Sequence, residues 1–372
     1  MSYSNSLQKI LDLLPNPVQS WAEMQDFNSV FEIVLDTGVC PEIRFQGSYN
    51  VQHDYRVTET DIHNIVKHPN VGHFNADNRA GVLGTLHRIS AIRDQFGHIV
   101  GLTIRVGSVY DGSIDIIKDL LLSGESTLLL GPPGAGKTTV LRGAAKFLAS
   151  IGKRVVIIDT ANEIAGEGLV PHEGVGRARR MMIPPTKTQA DVMVEAVRNH
   201  TPEVLIIDEI STAKEALAAR TIAERGIQLL GTAHGNTLLN LINNDPLTPL
   251  IGRVKSVTLS DKNAEKYGGV KTSLERESAP TFTKIVELAS FSSVAVHHDT
   301  MAAVDCVLRG GEALPELRNM DNGSVHITRP TIFKTAHTEE TPEPRQQRER
   351  YDYEEESKPV RRQQQKFKPR RR

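Results

Sequence analysis

One eight-residue segment restricts the fold of this 372-residue chain more than any other, the GPPGAGKT at Gly131–Thr138. It matches the pattern G-x-x-x-x-G-K-[ST], in which backbone N–H groups of a glycine-rich loop surround phosphate oxygens. The apolar run TLLL precedes it at 127–130, and a helical pattern follows at 139–151. A strand before the loop and a helix after it are the context that such a loop requires. The sequence therefore predicts a P-loop that binds Mg-ATP.

The residues predicted to bind the nucleotide form one continuous run. They are Gly131, Pro132, Pro133, Gly134, Ala135, Gly136, Lys137, Thr138 and Thr139. Lys137 is expected to act in catalysis through its charge beside the outer phosphates, and the Thr138 hydroxyl to ligate magnesium. Adenine is the default base because no N-K-x-D guanine motif follows the loop.

Two further apolar runs end in carboxylates. EVLIIDE ends in Asp208 and Glu209, and VVIIDTANE runs through Asp159 to Glu163. The carboxyl ends of parallel strands line the ligand crevice of an α/β sheet. Asp208 is therefore predicted to hold the magnesium shell and Glu209 to polarise the attacking water, while Asp159 or Glu163 would face the terminal phosphate. Such groups favour hydrolysis of ATP over binding alone.

A histidine and several arginines are further candidates. His234 follows the apolar run IQLLGTA and could sense the γ-phosphate, or else cap a strand end. An arginine that stabilises phosphoryl transfer from a neighbouring subunit could come from two groups, although taken alone each member fits a surface ion-pair partner better. These groups are Arg88, Arg93 and Arg105 in one, and Arg177, Arg179 and Arg180 in the other.

The patterning divides the chain into four blocks. Residues 1–110 are predicted to form an α+β domain that contains a hairpin at 84–107. Residues 111–275 alternate apolar runs with helical patterns, which predicts a doubly wound parallel α/β core. Residues 276–335 are a smaller appendix with one strand and one helix. Residues 336–372 are too polar to bury a core and are predicted to be disordered.

Charge and composition exclude other classes of protein. A net charge of -1 gives no whole-molecule attraction to nucleic acid. The two cysteines are far apart and do not suggest a disulfide framework, and no apolar run approaches the roughly 18–20 residues of a membrane span. The final fifteen residues, however, hold eight Lys or Arg and no acid. They could bind nucleic acid or an acidic partner, or serve as a solubilising tail.

Taken together, several segments resemble the secretion-ATPase superfamily of hexameric motors. These segments are GTLHRISAIRDQFGHIVGLTIRVG, GPPGAGKT, IDTANEIAGEG, VLIIDEIS and GTAHGNT. The chain resembles more closely the stage III sporulation protein AA-type ATPases and a family of cyanobacteria and plastids called hypothetical chloroplast reading frame forty-five. The likeness to that last group rests on IDTANEIAGEG, APTFTKIVELAS and VAVHHDTMAAVDCVLRGG. The resemblance covers about residues 30–310.

This resemblance implies a RecA-like core, a ring-forming homo-oligomer (a hexamer), and a place in the plastid stroma or the cyanobacterial cytoplasm. It implies that Glu163 is the catalytic glutamate of the acidic box, Glu209 the Walker B glutamate and His234 the residue of the His box. It also implies that Arg88, Arg93 and Arg105 lie where motors present arginines across a subunit boundary, and of these Arg105 is the predicted catalytic arginine. Two features depart from the pattern: Asp208-Glu209 stands where motors carry Gly-Glu, and the C-terminal region lacks the R-x-x-x-H of a nucleic-acid-binding module. An ATP-gated nucleic-acid-binding or regulatory protein is the alternative function.

Overall fold

The computed structural model describes residues 5–45, 47–107, 112–258, 272–321 and 323–329. The predicted disordered tail, 336–372, lies outside the described residues, so nucleic-acid binding through it stays a prediction. Within the described ranges, no helix is both long and apolar enough to cross a membrane.

The helices of the described part are short to medium in length. They are α1 (Asn5–Leu11), α2 (Asn16–Glu23), α3 (Glu59–Val66), α4 (Lys118–Leu122), α5 (Lys137–Ser150), α6 (Gln189–His200), α7 (Ala213–Ala223), α8 (Leu238–Ile242) and α9 (Thr300–Leu308). The strands are β1 (Val30–Asp36), β2 (Glu42–Phe45), β3 (Ser48–Val51), β4 (Arg79–Gly81), β5 (Arg88–Arg93), β6 (Ile99–Arg105), β7 (Thr127–Leu130), β8 (Val155–Asp159), β9 (Arg179–Met182), β10 (Val204–Ile210), β11 (Gln228–Ala233), β12 (Val254–Thr258), β13 (Thr272–Arg276), β14 (Lys284–Ser290), β15 (Ser293–His297), β16 (Glu316–Asp321) and β17 (Ser324–Thr328).

By their internal contacts, the described residues fall into two compact units, each built from separate stretches of chain. The first unit takes its residues from 1–111, 138–209 and 225–231, and the second from 112–137, 210–224 and the chain from 232 onward. The predicted domain boundaries, which follow the order of the sequence, stay a prediction.

The N-terminal part of the first unit is an antiparallel sheet of order β3-β2-β1-β6-β5-β4. Its buried side chains are aliphatic except for Phe27, and include Ile10, Leu14, Val18, Ile33, Leu35, Ile62, Ile89, Leu102 and Ile104. The predicted hairpin is confirmed as β5 and β6, which pair with Arg88 opposite Arg105.

The same unit contains strands in the order β11-β10-β8-β9, with β11 contributing its residues up to 231. β8 and β10 pair in parallel, with Val155 beside Val204. Nearly all their residues are buried, as expected for parallel strands covered on both faces. β9, of sequence RRMM, pairs in parallel with β8 but was not predicted, because its arginines conceal the strand pattern.

In the second unit the order is β17-β16-β15-β14-β7. β14 runs parallel to β7, the strand before the P-loop, with Ile285 beside Leu128. From β14 to β17 the pairings are antiparallel. The strands of the predicted appendix thus continue the sheet that carries the P-loop. The predicted α/β fold class is confirmed, with an antiparallel extension that the sequence did not indicate.

Candidate functional site

The P-loop has the backbone shape that its glycines allow. It follows β7, of which every residue is buried, and leads into α5. Gly131, Gly134 and Gly136 have φ values of 149°, 83° and 94°, which residues with a side chain rarely adopt. A Cβ on Gly131 would also lie 2.5 Å from the Leu288 carbonyl oxygen. Glycine is therefore required here, and the loop can direct its N–H groups at phosphate oxygens.

Lys137 is the first residue of α5, and its ammonium group lies against the loop. Its Nζ donates to the carbonyl oxygens of Gly131, at 2.5 Å, and Pro132, at 3.0 Å. The predicted cation is thus next to the phosphate-binding backbone, as the motif requires.

His234 lies close to the P-loop through the backbone. The Gly131 N–H donates to the Gly235 carbonyl oxygen at 3.2 Å, and His234 is the exposed residue between Gly235 and the end of β11. The structure therefore brings together the loop and the predicted histidine segment. A phosphate-sensing role for His234 stays a prediction.

In the first unit, Asp159 shapes the acidic loop that follows β8. Its side chain is completely buried, and its two oxygens accept hydrogen bonds from the backbone N–H groups of Ile164 (3.3 Å) and Ala165 (2.8 Å). Burial raises the pKa of Asp159. The sequence did not decide whether Asp159 or Glu163 faces the terminal phosphate. In the structure Asp159 binds the backbone of the loop, while the partly exposed Glu163 lines a cleft.

Two arginines that the sequence did not mark as structural hold the same loop. Arg142, buried on α5, donates to the carbonyl oxygens of Ile164 (2.7 Å) and Glu163 (2.5 Å). Arg180, on β9, donates to the carbonyl oxygens of Gly166 and Gly168. A charged residue within the otherwise apolar face of α5 was the available signal for Arg142.

Arg88 forms an ion pair with the Glu163 carboxylate. Arg105, its hairpin partner, instead pairs with Glu32 at 3.1 Å and lies 5.6 Å from the Phe31 ring. Within one chain, Arg88 rather than Arg105 therefore contacts the predicted catalytic acid. The action of Arg105 on a neighbouring subunit stays a prediction.

Asp208, at the end of β10, is only 8% exposed. Burial raises its pKa to about 8, and the negative charges of Asp159, Glu163 and Glu209 add to this rise. A buried cluster of this kind favours a nearby cation. Among the described residues, no three His, Cys, Asp or Glu side chains are arranged to hold a metal by themselves.

Gln189 is a further residue that the sequence reading missed. It is buried at the start of α6, where it accepts a hydrogen bond from the Thr160 hydroxyl and donates to the Glu209 carbonyl oxygen at 2.7 Å. One side chain thus fixes the chain just after β8 relative to the end of β10. Only its position at the start of a helical pattern was visible in the sequence, and that position indicates nothing about these bonds.

The first unit also contains a cleft of about 380 Å³, between its N-terminal strands and the acidic loop. Its polar lining includes Arg79, Arg88, Arg105, Thr138, Arg142, Asn162, Glu163 and Glu167. The predicted magnesium-binding hydroxyl of Thr138 and the predicted catalytic Glu163 therefore share one cavity. Several guanidinium groups give the cavity the chemistry to bind an anion.

Comparison with known proteins gives matches over most of the chain. Residues 73–277 match the sequence profile of the family described as sporulation stage III, protein AA. The chain is 47% identical over 330 residues to "Uncharacterized protein ycf45" of Porphyra purpurea, covering 88% of this chain and 58% of that protein. It is 48% identical over 316 residues to "Protein SEEDLING PLASTID DEVELOPMENT 1" of Arabidopsis thaliana, covering 84% and 46%. The chain thus spans about half the length of these two relatives.

A third relative is matched over nearly its whole length. It is "Uncharacterized protein ycf45" of Cyanidium caldarium, 42% identical over 328 residues, with 87% of this chain and 97% of that protein covered. Among solved structures, the ATPase DotB of Legionella pneumophila has a TM-score of 0.47 at 14% identity, covering 73% of this chain and 76% of that one. The pilus retraction motor PilT with bound ADP has a TM-score of 0.47 at 17% identity, covering 72% and 83%.

Proposed function

The chain belongs to the sporulation stage III protein AA family, and we propose that it is a P-loop ATPase that binds and hydrolyses Mg-ATP. The observation that carries the proposal is the loop between β7 and α5. Three glycines there adopt positive φ, and Lys137 places its charge against the loop backbone. This arrangement suits the phosphates of a nucleotide.

In this proposal, Thr138 and Asp208 would hold a magnesium ion, which would neutralise part of the negative charge of the bound phosphates. Burial and the neighbouring carboxylates together raise the pKa of Asp208, and this supports the assignment, because a divalent cation would stabilise the ionised carboxyl group. Lys137 stabilises the negative charge that moves to the outer phosphates during transfer.

Glu163 is the proposed general base. Its carboxylate takes a proton from a water molecule while the water oxygen bonds to the γ-phosphorus. The bond from that phosphorus to the bridging oxygen breaks, and its electron pair leaves with ADP. Glu209, which is exposed at the end of β10, is proposed to assist by polarising the water.

The first test compares Lys137→Ala with Lys146→Ala, a matched lysine at an exposed position of the same helix. Fluorescent nucleotide binding and phosphate release are measured for both. Lys137→Ala is expected to lower ATP turnover by about 100-fold or more, since it removes charge stabilisation in the transition state. Lys146→Ala is expected to retain wild-type turnover. A wild-type protein that binds no nucleotide would contradict the proposal.

The second test separates binding from chemistry. Glu163→Gln is expected to bind Mg-ATP with nearly unchanged affinity but to lower kcat by about 100-fold, because an amide cannot accept the proton. Glu209→Gln is expected to have the smaller effect. The reverse order would exchange the roles of the two glutamates.

We further propose that the chain works as a ring-shaped homo-oligomer, a hexamer, with Arg105 acting on the ATP of a neighbouring subunit. Half of the Arg105 side chain is exposed, which suits a contact made in trans. Light scattering with Mg-ATP should give the mass of a hexamer. Mixing Arg105→Ala with Lys137→Ala subunits should restore part of the activity if the arginine acts across the boundary, and a monomer at all concentrations would contradict this.

The proposed location is the plastid stroma or the cyanobacterial cytoplasm. The name of the Arabidopsis thaliana relative, with its reference to plastid development, supports this location.

A further inference from the structure

Asn162 stands out in the cleft because of its backbone. Its φ is 55°, in the left-handed region that residues other than glycine seldom occupy. It directly precedes Glu163, and both residues line the cleft that also includes Thr138. Unusual backbone of this kind persists where the surroundings hold it in place, and it occurs often at functional sites.

The side chain of Asn162 is fixed at one end only. Its Nδ2 donates to the Glu167 carboxylate at 3.1 Å. Its Oδ1 is buried and has no hydrogen-bond partner among the described residues. Leaving a buried acceptor unmatched costs free energy, so a native structure with such an atom calls for an explanation.

Glu167 packs closely against two glycines of the N-terminal part of the unit, Gly72 and Gly81, the latter in β4. A Cβ on Gly81 would lie 2.2 Å from the Glu167 Cβ, and a Cβ on Gly72 would lie 3.4 Å from its Cγ. The Glu167 carbonyl oxygen also accepts a hydrogen bond from the Gly84 N–H at 3.1 Å. Because Glu167 takes the Nδ2 side of the amide, it turns the Oδ1 of Asn162 away from itself.

We propose that Asn162 is a catalytic residue that orients the attacking water, an inference that rests on the proposed ATP hydrolysis. One O–H of the water donates to Asn162 Oδ1 and the other to the Glu163 carboxylate. The Glu163 proton transfer and the attack on phosphorus then proceed as described above, and Asn162 gains and loses no proton. Two acceptors fix both hydrogens of the water, which leaves a lone pair available for phosphorus.

A second atom supports a ligand at this position. The Nε of Arg88 is also buried and without a hydrogen-bond partner in the described part of the chain, although the same guanidinium pairs with Glu163. Two residues of the cleft lining, Arg88 and Asn162, therefore carry an unmatched donor and an unmatched acceptor, and Glu163 lines the same cleft. The donor suits a phosphate oxygen, and the acceptor suits the water.

The test measures kcat and KM for ATP, nucleotide affinity and thermal stability in the full chain. Asn162→Ala and Asn162→Gly are expected to lower kcat by about 10- to 100-fold with little change in KM, since the lost contact acts on the nucleophile. Glycine tolerates the positive φ, so equal losses in both variants would assign the effect to the amide rather than to backbone strain.

Asn78 offers a matched control. It is an asparagine with φ of 57°, and its Oδ1 accepts from Arg93 at 2.6 Å outside the cleft lining. Asn78→Ala carries the same backbone cost and is expected to keep wild-type kcat. Equal losses of kcat in Asn78→Ala and Asn162→Ala would overturn the proposal.

Glu167 is a positioning residue in this scheme, and its role can be tested by rescue. Glu167→Gln keeps an acceptor for Asn162 Nδ2 and should retain kcat, whereas Glu167→Leu should lower it. If the wild type hydrolyses ATP and both Asn162 variants keep its full kcat, this inference alone is overturned. A wild-type chain that binds ATP without hydrolysing it would defeat the proposed function instead.

Discussion

Asp159 is the last residue of β8, and Asp208 lies near the end of the neighbouring parallel strand β10. The surroundings of the two carboxyl groups differ. Burial raises the pKa of Asp159 too, but two backbone N–H groups donate to its oxygens, one to each, and oppose this rise. Burial raises the pKa of Asp208 to about 8, and the negative charges of neighbouring carboxylates add to this rise. One carboxyl supports the structure, and the other is kept at the expense of stability, as is common for groups that serve a function.

The same substitution should therefore have opposite effects at these two sites. Folded Asp208 keeps its proton to about pH 8, whereas the unfolded chain releases it near 4. Its contribution to stability therefore falls as the pH rises from about 4 to 8. Asp208→Asn removes this loss and should raise the free energy of unfolding at pH 8 by a few kcal/mol, on the order of the pKa shift.

Asp159→Asn should lower the free energy of unfolding by about 1–3 kcal/mol, because an amide offers only one acceptor for two buried N–H groups. Chemical denaturation at pH 6 and pH 8, without nucleotide, checks both changes. Asp208→Asn should also lose most of the stabilisation that Mg-ATP gives the wild type. A loss of stability in both variants at pH 8 would contradict the charge argument.

Among the elements, those with simple burial patterns were predictable. β8 and β10 are continuous apolar runs in the sequence because both of their faces are covered. The P-loop motif predicted the strand before it and the helix after it. β9 and β16 were not predictable, since RRMM and ELRNMD contain charges whose partners come from elsewhere in the chain. Arg180 is in a strand because the acidic loop supplies its carbonyl partners.

Two glycines of the P-loop should differ in their tolerance of alanine. At Gly131 a Cβ would meet the Leu288 carbonyl oxygen at 2.5 Å, whereas at Gly134 it would lie more than 4 Å from any described atom beyond its chain neighbours. Both positions have positive φ. Gly134→Ala should therefore cost only the backbone strain, about 1–3 kcal/mol.

Gly131→Ala adds a steric clash to this strain and should lose more stability and more nucleotide affinity than Gly134→Ala. Thermal unfolding and nucleotide binding of the two variants check the order. Equal losses would mean that backbone conformation alone decides the shape of the loop.

At the scale of the whole chain, contacts between distant segments decide both stability and the site. In the second unit, Arg318 joins Glu316 at 2.7 Å and Asp119 at 2.6 Å, across 199 positions of sequence in the latter case. In the first unit, Gly81 and Glu167 come together although they lie on either side of the P-loop in the sequence.

The sequence predicted the P-loop and the acids of the site. It could not predict the surroundings of Asn162, because these depend on such long-range packing.

Glu316 should give the second unit a measurable sensitivity to acid. Burial alone would raise its pKa, but hydrogen bonds from Arg329, Arg318 and His298 lower it to about 2. Because the unfolded value is near 4.3, the stabilisation is complete above that pH and is lost as the pH falls toward 2.

Glu316→Gln should therefore lower the free energy of unfolding at pH 7 by about 3 kcal/mol, the size of the pKa shift. It should also flatten the loss of stability between pH 4.5 and 2. Denaturant unfolding across this range checks the slope, with Glu312→Gln as an exposed control. An unchanged slope in Glu316→Gln would show that other carboxyl groups set the acid limit.

The discontinuous first unit has a consequence for the chain as it leaves the ribosome. Its N-terminal core uses residues 10–106 and can form early, but its last segment is 225–231. At about 5–20 residues per second, that segment follows roughly 6 to 25 seconds after the N-terminal core is complete. Through this interval the apolar β8 and β10 emerge before the unit that buries them is finished. The nascent chain therefore offers a chaperone a defined period in which to bind.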